Sequence, residues 1–141
     1  MVLIHAETIQ SELVPTRPFR VNAGPVHSYI LMHDGSTKYL SELKPGDVVA
    51  ISDPSGKMRG LTVGRLKIEP RPMLCVKFQI DGRHGQVFLQ QAETVRLMVE
   101  DPHDGWVPKS VTNLAAGDVI RTRWRSQGTH VGRAISAAVN E

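Results

Sequence analysis

Leu74-Cys-Val-Lys-Phe-Gln-Ile-Asp-Gly82 carries the clearest structural pattern in this chain. Its apolar residues at 74, 76, 78 and 80 alternate with Cys75, Lys77 and Gln79, which is the period-two pattern of a strand buried on one face. Asp81-Gly82 follows directly and is a strong turn signal. The stretch therefore predicts a β-strand that ends in a tight turn.

Other segments repeat this pattern. The apolar residues Val95, Leu97 and Val99 alternate with Thr94, Arg96 and Met98. The alternation that starts at Leu61 shifts phase after Gly64, where we predict a bulge followed by a strand carrying Leu66 and Ile68. Further turn signals are Asp34-Gly35, Asp53-Pro-Ser-Gly56 and Asp101-Pro-His-Asp-Gly105. Many short strands separated by turns favour an all-β barrel or sandwich.

The chain also contains an internal echo. Leu40-Ser-Glu-Leu-Lys-Pro-Gly-Asp-Val-Val49 is similar to Val111-Thr-Asn-Leu-Ala-Ala-Gly-Asp-Val-Ile120, and Leu3–Ile9 is similar to Leu89–Val95. The two elements recur in the same order, and the first copy carries an insertion. We interpret the echo as two related β-rich halves, 3–88 and 89–141, that close a single barrel-like domain over residues 1–141.

The Gly-Asp pair of each copy has a simple structural interpretation. We expect a short helical turn over Leu40–Leu43 that ends at Gly46, after which Asp47 caps the local backbone and a strand begins at Val48. Asp118 is expected to do the same in the second copy. Near the C-terminus, Ala134–Val139 has helical propensity, and it fits a last strand equally well.

Composition narrows the classes of protein. With 141 residues the chain fits one domain or two very small ones. Its net charge of +3 is slight and only Arg121–Arg125 is locally basic, so nucleic-acid binding is weakly supported. The single Cys75 forbids an internal disulfide, argues for a reducing cytoplasm and is expected to be a packed thiol. No apolar run is long enough to span a membrane, and no signal peptide is apparent. The strand-like start Met1-Val-Leu-Ile fits a piece of a longer protein.

Arg17-Pro-Phe-Arg-Val-Asn-Ala-Gly-Pro-Val-His-Ser-Tyr-Ile30 is the segment most suggestive of a site. Its prolines fix φ and remove two backbone donors, so the backbone that carries its polar side chains is stiff. Arg17 and Arg20 could grip a carboxylate or phosphate with two donors each. Two interpretations stay open: an anion site, or an ordinary surface loop leading into a strand at Val26–Met32.

Five segments of the chain resemble one family, the archaeal-type 3-dehydroquinate synthases, or 3-dehydroquinate synthase II. They are Leu3–Thr8, Arg17–Tyr29, Tyr39–Asp47, Val63–Pro72 and Leu89–Leu97, which occur in the family's order. The resemblance covers roughly residues 3 to 120 and weakens after Arg123. It extends only to the C-terminal part of the family's longer members.

The resemblance implies a function. Family members oxidatively deaminate a 2-amino-dideoxy-heptulosonate with NAD and close the ring to 3-dehydroquinate, and related enzymes form 3-amino-4-hydroxybenzoate and use a divalent metal. The lysine that forms a Schiff base lies in the absent N-terminal part, so that part is the expected partner. This chain has no Gly-x-Gly-x-x-Gly motif after a strand, so we expect most NAD contacts to come from the absent part as well.

Six residues of this chain are candidates for a site that binds a small anionic substrate. The substrate-binding candidates are Arg17, Arg20, Asn22 and Lys67, and the catalytic candidates are His27 and Glu93. Asn22 and His27 would orient a carbonyl or carry a proton. Lys67, on a charged strip with Glu69, would form a polar wall with Glu93, although a solvated strand face explains the strip too.

Alternatives to an enzyme part remain. The same fold could serve as a stand-alone binding or assembly module, as a homo-oligomer, or as an RNA-binding barrel that uses Arg121–Arg125. The histidines show no ligand spacing for a metal; they are His5, His27, His33, His84, His103 and His130. A metal site that the fold assembles from His5, Glu7 or His27 also stays open.

Overall fold

The computed structural model describes residues 1–10, 14–53, 55–124, 129–130 and 133–134. Among these residues the regular elements are β-strands and two short 3₁₀ turns, with no α-helix, so the all-β prediction is confirmed. The strands are β1 (Tyr29–Leu31), β2 (Thr37–Tyr39), β3 (Val48–Ser52), β4 (Met58–Thr62), β5 (Met73–Ile80), β6 (Arg83–Gln90), β7 (Arg96–Asp101), β8 (Gly105–Ser110), β9 (Thr129–His130) and β10 (Arg133–Ala134). The 3₁₀ turns are Leu40–Glu42 and Val111–Asn113.

Consecutive strands pair as antiparallel hairpins: β1 with β2, β3 with β4, β5 with β6, β7 with β8 and β9 with β10. The β5–β6 hairpin is the longest, and its register places Leu74 opposite Leu89 and Ile80 opposite Arg83. Asp81 and Gly82 join its strands with positive φ values of 48° and 78°. Two successive positive φ values are what a type I′ hairpin turn requires, so the predicted Asp-Gly turn is present.

The chain divides into two compact units. The first comprises Val26–Glu69, with Met1 and the described residues from Trp124 onward. Its core is formed by Met32, Leu43 and Val49, which bury their side chains beneath the β1–β2 and β3–β4 hairpins. Met32 and Val49 also form an isolated antiparallel bridge, which ties the two hairpins together.

The second unit comprises Val2–Pro25 and Pro70–Arg123. Leu89, Val95, Leu97 and Val111 form its core, and Leu89 is completely buried. The N-terminal segment pairs antiparallel with β7 through a bridge between Ile4 and Leu97. The alternation predicted for Val95, Leu97 and Val99 is confirmed, because all three side chains are buried while their neighbours are not.

The Gly-Asp element has the same local structure in both copies. Asp47 accepts a hydrogen bond from the Lys44 N–H at 2.9 Å and one from Lys38 Nζ at 2.8 Å. Asp118 accepts the equivalent bonds from Ala115 N–H and Lys109 Nζ, both at 2.8 Å. The preceding glycines, at 46 and 117, have φ values of 95° and 96°, which a side chain disfavours. The predicted capping role of both aspartates is confirmed.

The strand predicted after Gly64 is not formed. Val63 still donates its N–H to the Asp47 carbonyl, but residues 64–72 have no ladder partner in the described part of the chain, and Ile68 is 68% exposed. The sequence continues into Pro70 and Pro72, which have no N–H to donate to a neighbouring strand. The bulge predicted at Gly64 therefore has no sheet in which to form.

Two smaller predictions need correction. Cys75 is exposed rather than packed, because it lies on the solvent face of β5, where the alternation of its neighbours places it. The strand expected at Val26–Met32 is limited to Tyr29–Leu31, because Val26 and His27 form a turn. The C-terminal helix or strand predicted over Ala134–Val139 lies outside the described residues, apart from the backbone of Ala134. Among the described residues, no helix has the length and apolar character needed to span a membrane.

Candidate functional site

The arginine segment begins with a tight β-turn. The Arg20 N–H donates a hydrogen bond to the Arg17 carbonyl at 3.0 Å, which places Pro18 and Phe19 at the two central positions. Proline is favoured at the first central position because its ring fixes φ near the value that the turn requires. The sequence therefore makes this turn locally stiff and holds the two arginines on either side of it.

The turn is also attached to the main chain of Glu7 from both sides. The Glu7 N–H donates to the Arg20 carbonyl at 2.9 Å, and the Arg17 N–H donates to the Glu7 carbonyl at 2.6 Å. The backbone N–H and carbonyl of Glu7 are therefore both satisfied by the two residues that flank the turn. The turn consequently has a fixed position within its unit.

The Glu7 side chain lies between the two arginines. Its Oε1 is 3.5 Å from Arg20 Nε, and its Oε2 is 4.0 Å from Arg17 Nη1. The Glu7 side chain is 7% exposed, whereas the Arg17 and Arg20 side chains are 42% and 46% exposed. A buried carboxylate thus compensates part of the charge of two guanidinium groups that still face solvent.

This arrangement can hold an anion. Each guanidinium has five N–H donors, and the contacts with Glu7 use only one side of each fork. One carboxylate against two guanidiniums leaves a net charge of +1 on the cluster. The remaining donors can bind a carboxylate or phosphate from the solvent side. Arg17 and Arg20, predicted as anion ligands, are therefore brought together, and Glu7 orients both of them.

Asn22 continues the segment and ties it to β6. Its Nδ2 donates to Gln90 Oε1 at 2.5 Å, and Asn22 is half-buried. The contact fixes the side-chain amide in one orientation and makes this amide a second attachment of the segment to the unit. The role predicted for Asn22, that of orienting a substrate carbonyl, stays a prediction.

His5 lies two residues before Glu7 and faces β7. Its N–H donates to the Arg96 carbonyl at 2.9 Å. Burial lowers the pKa of His5, the positive charge of Arg96 lowers this pKa further, and the backbone of Ala6 opposes both effects. These effects together favour the neutral form of the imidazole.

The other candidates occupy different positions. Glu93 is exposed in the turn that follows β6, where the Val95 N–H bonds to the Ala92 carbonyl. In the first unit, His27 is exposed in the turn before β1. Lys67, also in the first unit, is on the extended segment 63–72, and its Nζ forms an ion pair with Glu69 at 2.7 Å. Their predicted catalytic and binding roles stay predictions.

The sequence pattern does not predict that Glu7 contacts the two arginines. The echo aligns Glu7 with Glu93, and Glu93 was the carboxylate chosen as a candidate. The structure shows that Glu7 is the buried member of this pair and that it contacts the two arginines. The available signal was the insertion itself, because it adds the pair Arg17 and Arg20 after Glu7, whereas Glu93 is followed directly by the strand that carries Arg96.

Neither cofactor implied by the resemblance fits the residues seen here. Across the described ranges, no three His, Cys, Asp or Glu side chains are placed to hold a metal ion together. The Rossmann type of dinucleotide site uses a glycine-rich turn leading into a helix N-terminus, and the described residues contain no α-helix. We therefore assign no metal or NAD contact to the described residues.

Arg121, the first residue of the basic run Arg121–Arg125, has contacts within its own unit. The guanidinium of Arg121 lies over the Trp106 ring, 5.3 Å from its centroid, which is the geometry of a cation–π contact. The Arg121 N–H also donates to the Met98 carbonyl at 2.8 Å. These contacts give Arg121 a structural role, so its presence in the run needs no nucleic acid to explain it.

These observations define a class of protein: an all-β chain that presents two arginines on a stiff turn held by a buried glutamate. A family model described as the 3-dehydroquinate synthase II C-terminal domain matches residues 1–141. The chain therefore belongs to this family, and the resemblance of its five segments is confirmed. No solved structure matches the chain.

Curated relatives agree with this assignment. A 3-dehydroquinate synthase of Methanocaldococcus jannaschii is 45% identical over 141 residues, and one of Methanococcus maripaludis is 43% identical over 141 residues. A third, from Methanopyrus kandleri, is 43% identical over 144 residues. Each match covers 100% of this chain but only 38%, 38% and 35% of the respective relative. The chain thus spans little more than a third of the length of these relatives.

Proposed function

We propose that this chain is the C-terminal domain, or a separate small subunit, of a 3-dehydroquinate synthase II enzyme, and that it binds the anionic end of the substrate. The observation that carries the proposal is the pair of half-exposed arginines, Arg17 and Arg20, held by the buried carboxylate of Glu7. The family match over the whole chain supports it. The short coverage of the relatives supports a division of labour with an N-terminal part.

The proposed reaction is the one that the family resemblance implies. The enzyme would oxidatively deaminate a 2-amino-dideoxy-heptulosonate with NAD and cyclise it to 3-dehydroquinate, and the cyclisation to 3-amino-4-hydroxybenzoate is the related alternative. The substrate's carboxylate matches the two-donor forks of Arg17 and Arg20. The N-terminal part would supply the covalent chemistry and the nucleotide contacts, and any divalent metal would also bind there.

Within this proposal the remaining candidates keep secondary roles. Asn22, His27, Lys67 and Glu93 would orient the substrate or transfer a proton once the N-terminal part is in place. The hairpins would close into the barrel-like domain expected from the sequence. We also propose a reducing cytoplasmic location, since the chain has a single cysteine.

The test is Arg20→Ala in the assembled enzyme, this chain together with its N-terminal part. A charge-assisted hydrogen bond contributes about 1.5–3 kcal/mol, so KM for the heptulosonate should rise roughly 10- to 150-fold, with a smaller change in kcat. Arg20→Lys should recover only part of the loss, because an ammonium cannot form a two-donor fork. Arg59→Ala removes an exposed arginine of β4 and is the control. An unchanged KM for Arg20→Ala would contradict the anion-binding role.

A further inference from the structure

Phe19 is the most exposed large apolar side chain in the described part of the chain. It is 95% exposed, compared with 68% for Ile68 and 54% for Val119. Isolated apolar residues on a surface are common and need no explanation by themselves. The position of Phe19 is unusual, because it is a central residue of the turn that carries Arg17 and Arg20.

The turn presents Phe19 in a fixed direction. Pro18 restricts the backbone immediately before Phe19, and three backbone hydrogen bonds join Arg17, Arg20 and Glu7. The two ion pairs to Glu7 hold the flanking side chains as well. Because this backbone is already ordered, burying the ring against a partner would cost little conformational entropy.

The surroundings of Phe19 resemble the centre of a protein–protein interface. Val21, two residues after Phe19, is 46% exposed, and the turn that carries Phe19 is flanked by the two half-exposed arginines. Aromatic and arginine side chains are enriched among the residues that dominate binding energy, and they lie at the centre of such interfaces. A phenylalanine exposes roughly 150–250 Å² that a partner can cover.

The greater length of the relatives indicates what could cover the ring. The chain matches a C-terminal domain and spans 38% of the Methanocaldococcus jannaschii relative, so most of such a protein lies N-terminal to the match. A domain that normally contacts a larger partner leaves apolar surface exposed when it is seen alone. The Phe19 turn provides such a surface next to the arginines proposed to hold the substrate.

We propose that Phe19 is an anchor that inserts into an apolar pocket of the N-terminal part. This inference rests on the proposed function and deepens it. Insertion of the ring brings Arg17 and Arg20 to the N-terminal part, so the substrate's carboxylate is bound at the junction of the two parts. A C-terminal domain without its partner would then hold the anion-binding groups and lack the reacting ones.

The experiment measures association between this chain and the N-terminal part of the Methanocaldococcus jannaschii relative, co-expressed as two polypeptides and purified as a complex. Dissociation constants are determined for the wild-type chain and for Phe19→Ala, Phe19→Leu and Val119→Ala. Val119→Ala is the matched control, since it also shortens an exposed apolar side chain of the same unit. Thermal unfolding of each variant alone checks that its fold is intact.

The expected result is a loss of affinity of about 30-fold or more for Phe19→Ala, a smaller loss for Phe19→Leu, and a change within about threefold for Val119→Ala. A complex that Phe19→Ala leaves unchanged would overturn the anchor while the proposed function stands. Failure of the wild-type chain to associate would overturn the proposed function and the anchor together. If sedimentation shows that the chain alone self-associates and that Phe19→Ala abolishes this, the occupant is a second copy and the assignment to the N-terminal part is wrong.

Discussion

Replacing Glu7 by glutamine tests whether a buried carboxylate holds the arginine turn. The substitution keeps the size of the side chain and both backbone hydrogen bonds of residue 7, and it removes one negative charge that lies 3.5 Å from Arg20 and 4.0 Å from Arg17. At an effective dielectric constant near 20, unit charges at these distances attract each other by about 4–5 kcal/mol. The arginines are nearly half exposed, so solvent screening reduces this value strongly.

The expected loss follows from this reduction. Exposed ion pairs contribute about 0.2–1 kcal/mol each, and two pairs to one buried carboxylate should lie at or slightly above the upper end of that range. We expect Glu7→Gln to lower the free energy of unfolding by about 1–2 kcal/mol and Tm by roughly 3–8 °C. Glu100→Gln, at an exposed carboxylate, should change neither.

Urea unfolding and a double-mutant cycle with Arg20→Gln provide the measurement. The two substitutions should be non-additive by about 0.5 kcal/mol or more, because each one removes the same interaction. Purely additive effects, or a Glu7→Gln chain as stable as the wild type, would refute the view that Glu7 positions the arginines.

Two further predictions concern the fold. Leu89→Ala, at the completely buried centre of the second unit, should lower the free energy of unfolding by about 2–5 kcal/mol. Leu66→Ala, at a partly exposed site, should lower it far less. Equal losses in urea unfolding would contradict the assigned core. Hydrogen bonds from Lys38 and then from the Lys44 N–H lower the pKa of Asp47, and those from Lys109 and then Ala115 lower the pKa of Asp118. The native pKa values lie below the unfolded ones, so this stabilisation is present above about pH 4 and is lost as pH falls through the native values. The difference in Tm between the wild type and the double variant Asp47→Asn, Asp118→Asn should therefore disappear as the pH falls. A constant difference from pH 7 to pH 2 would contradict the stabilising role assigned to the two carboxylates.

Local patterns in the sequence predicted local structure well. The alternation over Leu74–Ile80 and the following Asp81-Gly82 specify a strand and its turn within ten residues, so no distant contact is needed to interpret them. The same holds for Asp47 and Asp118, whose hydrogen-bond partners lie three and nine residues away in sequence. In these elements the residues that determine the local structure lie within a few positions of the structure that they form.

Predictions failed where the outcome depends on a distant partner. Leu66 and Ile68 alternate with charged residues as strand residues do, but a strand needs a neighbour, and no strand pairs with residues 63–72 in the described part of the chain. Cys75 shows the converse error. Its residue type favours burial, yet the alternation of β5 places it on the solvent face, and the pattern was the better guide.

The site itself follows from comparing the two copies of the echo. Leu3–Ile9 and Leu89–Val95 share the sequence Ala-Glu-Thr, yet Glu7 is buried and Glu93 is exposed. The difference lies in what comes next in the chain. After Glu7 the insertion returns to the same residue and places two guanidiniums on its carboxylate, and a charged group can be buried only when such partners compensate it. The insertion therefore places Arg17 and Arg20 beside the buried Glu7, which is why we propose that the anion site of this chain lies in the insertion rather than in the repeated elements.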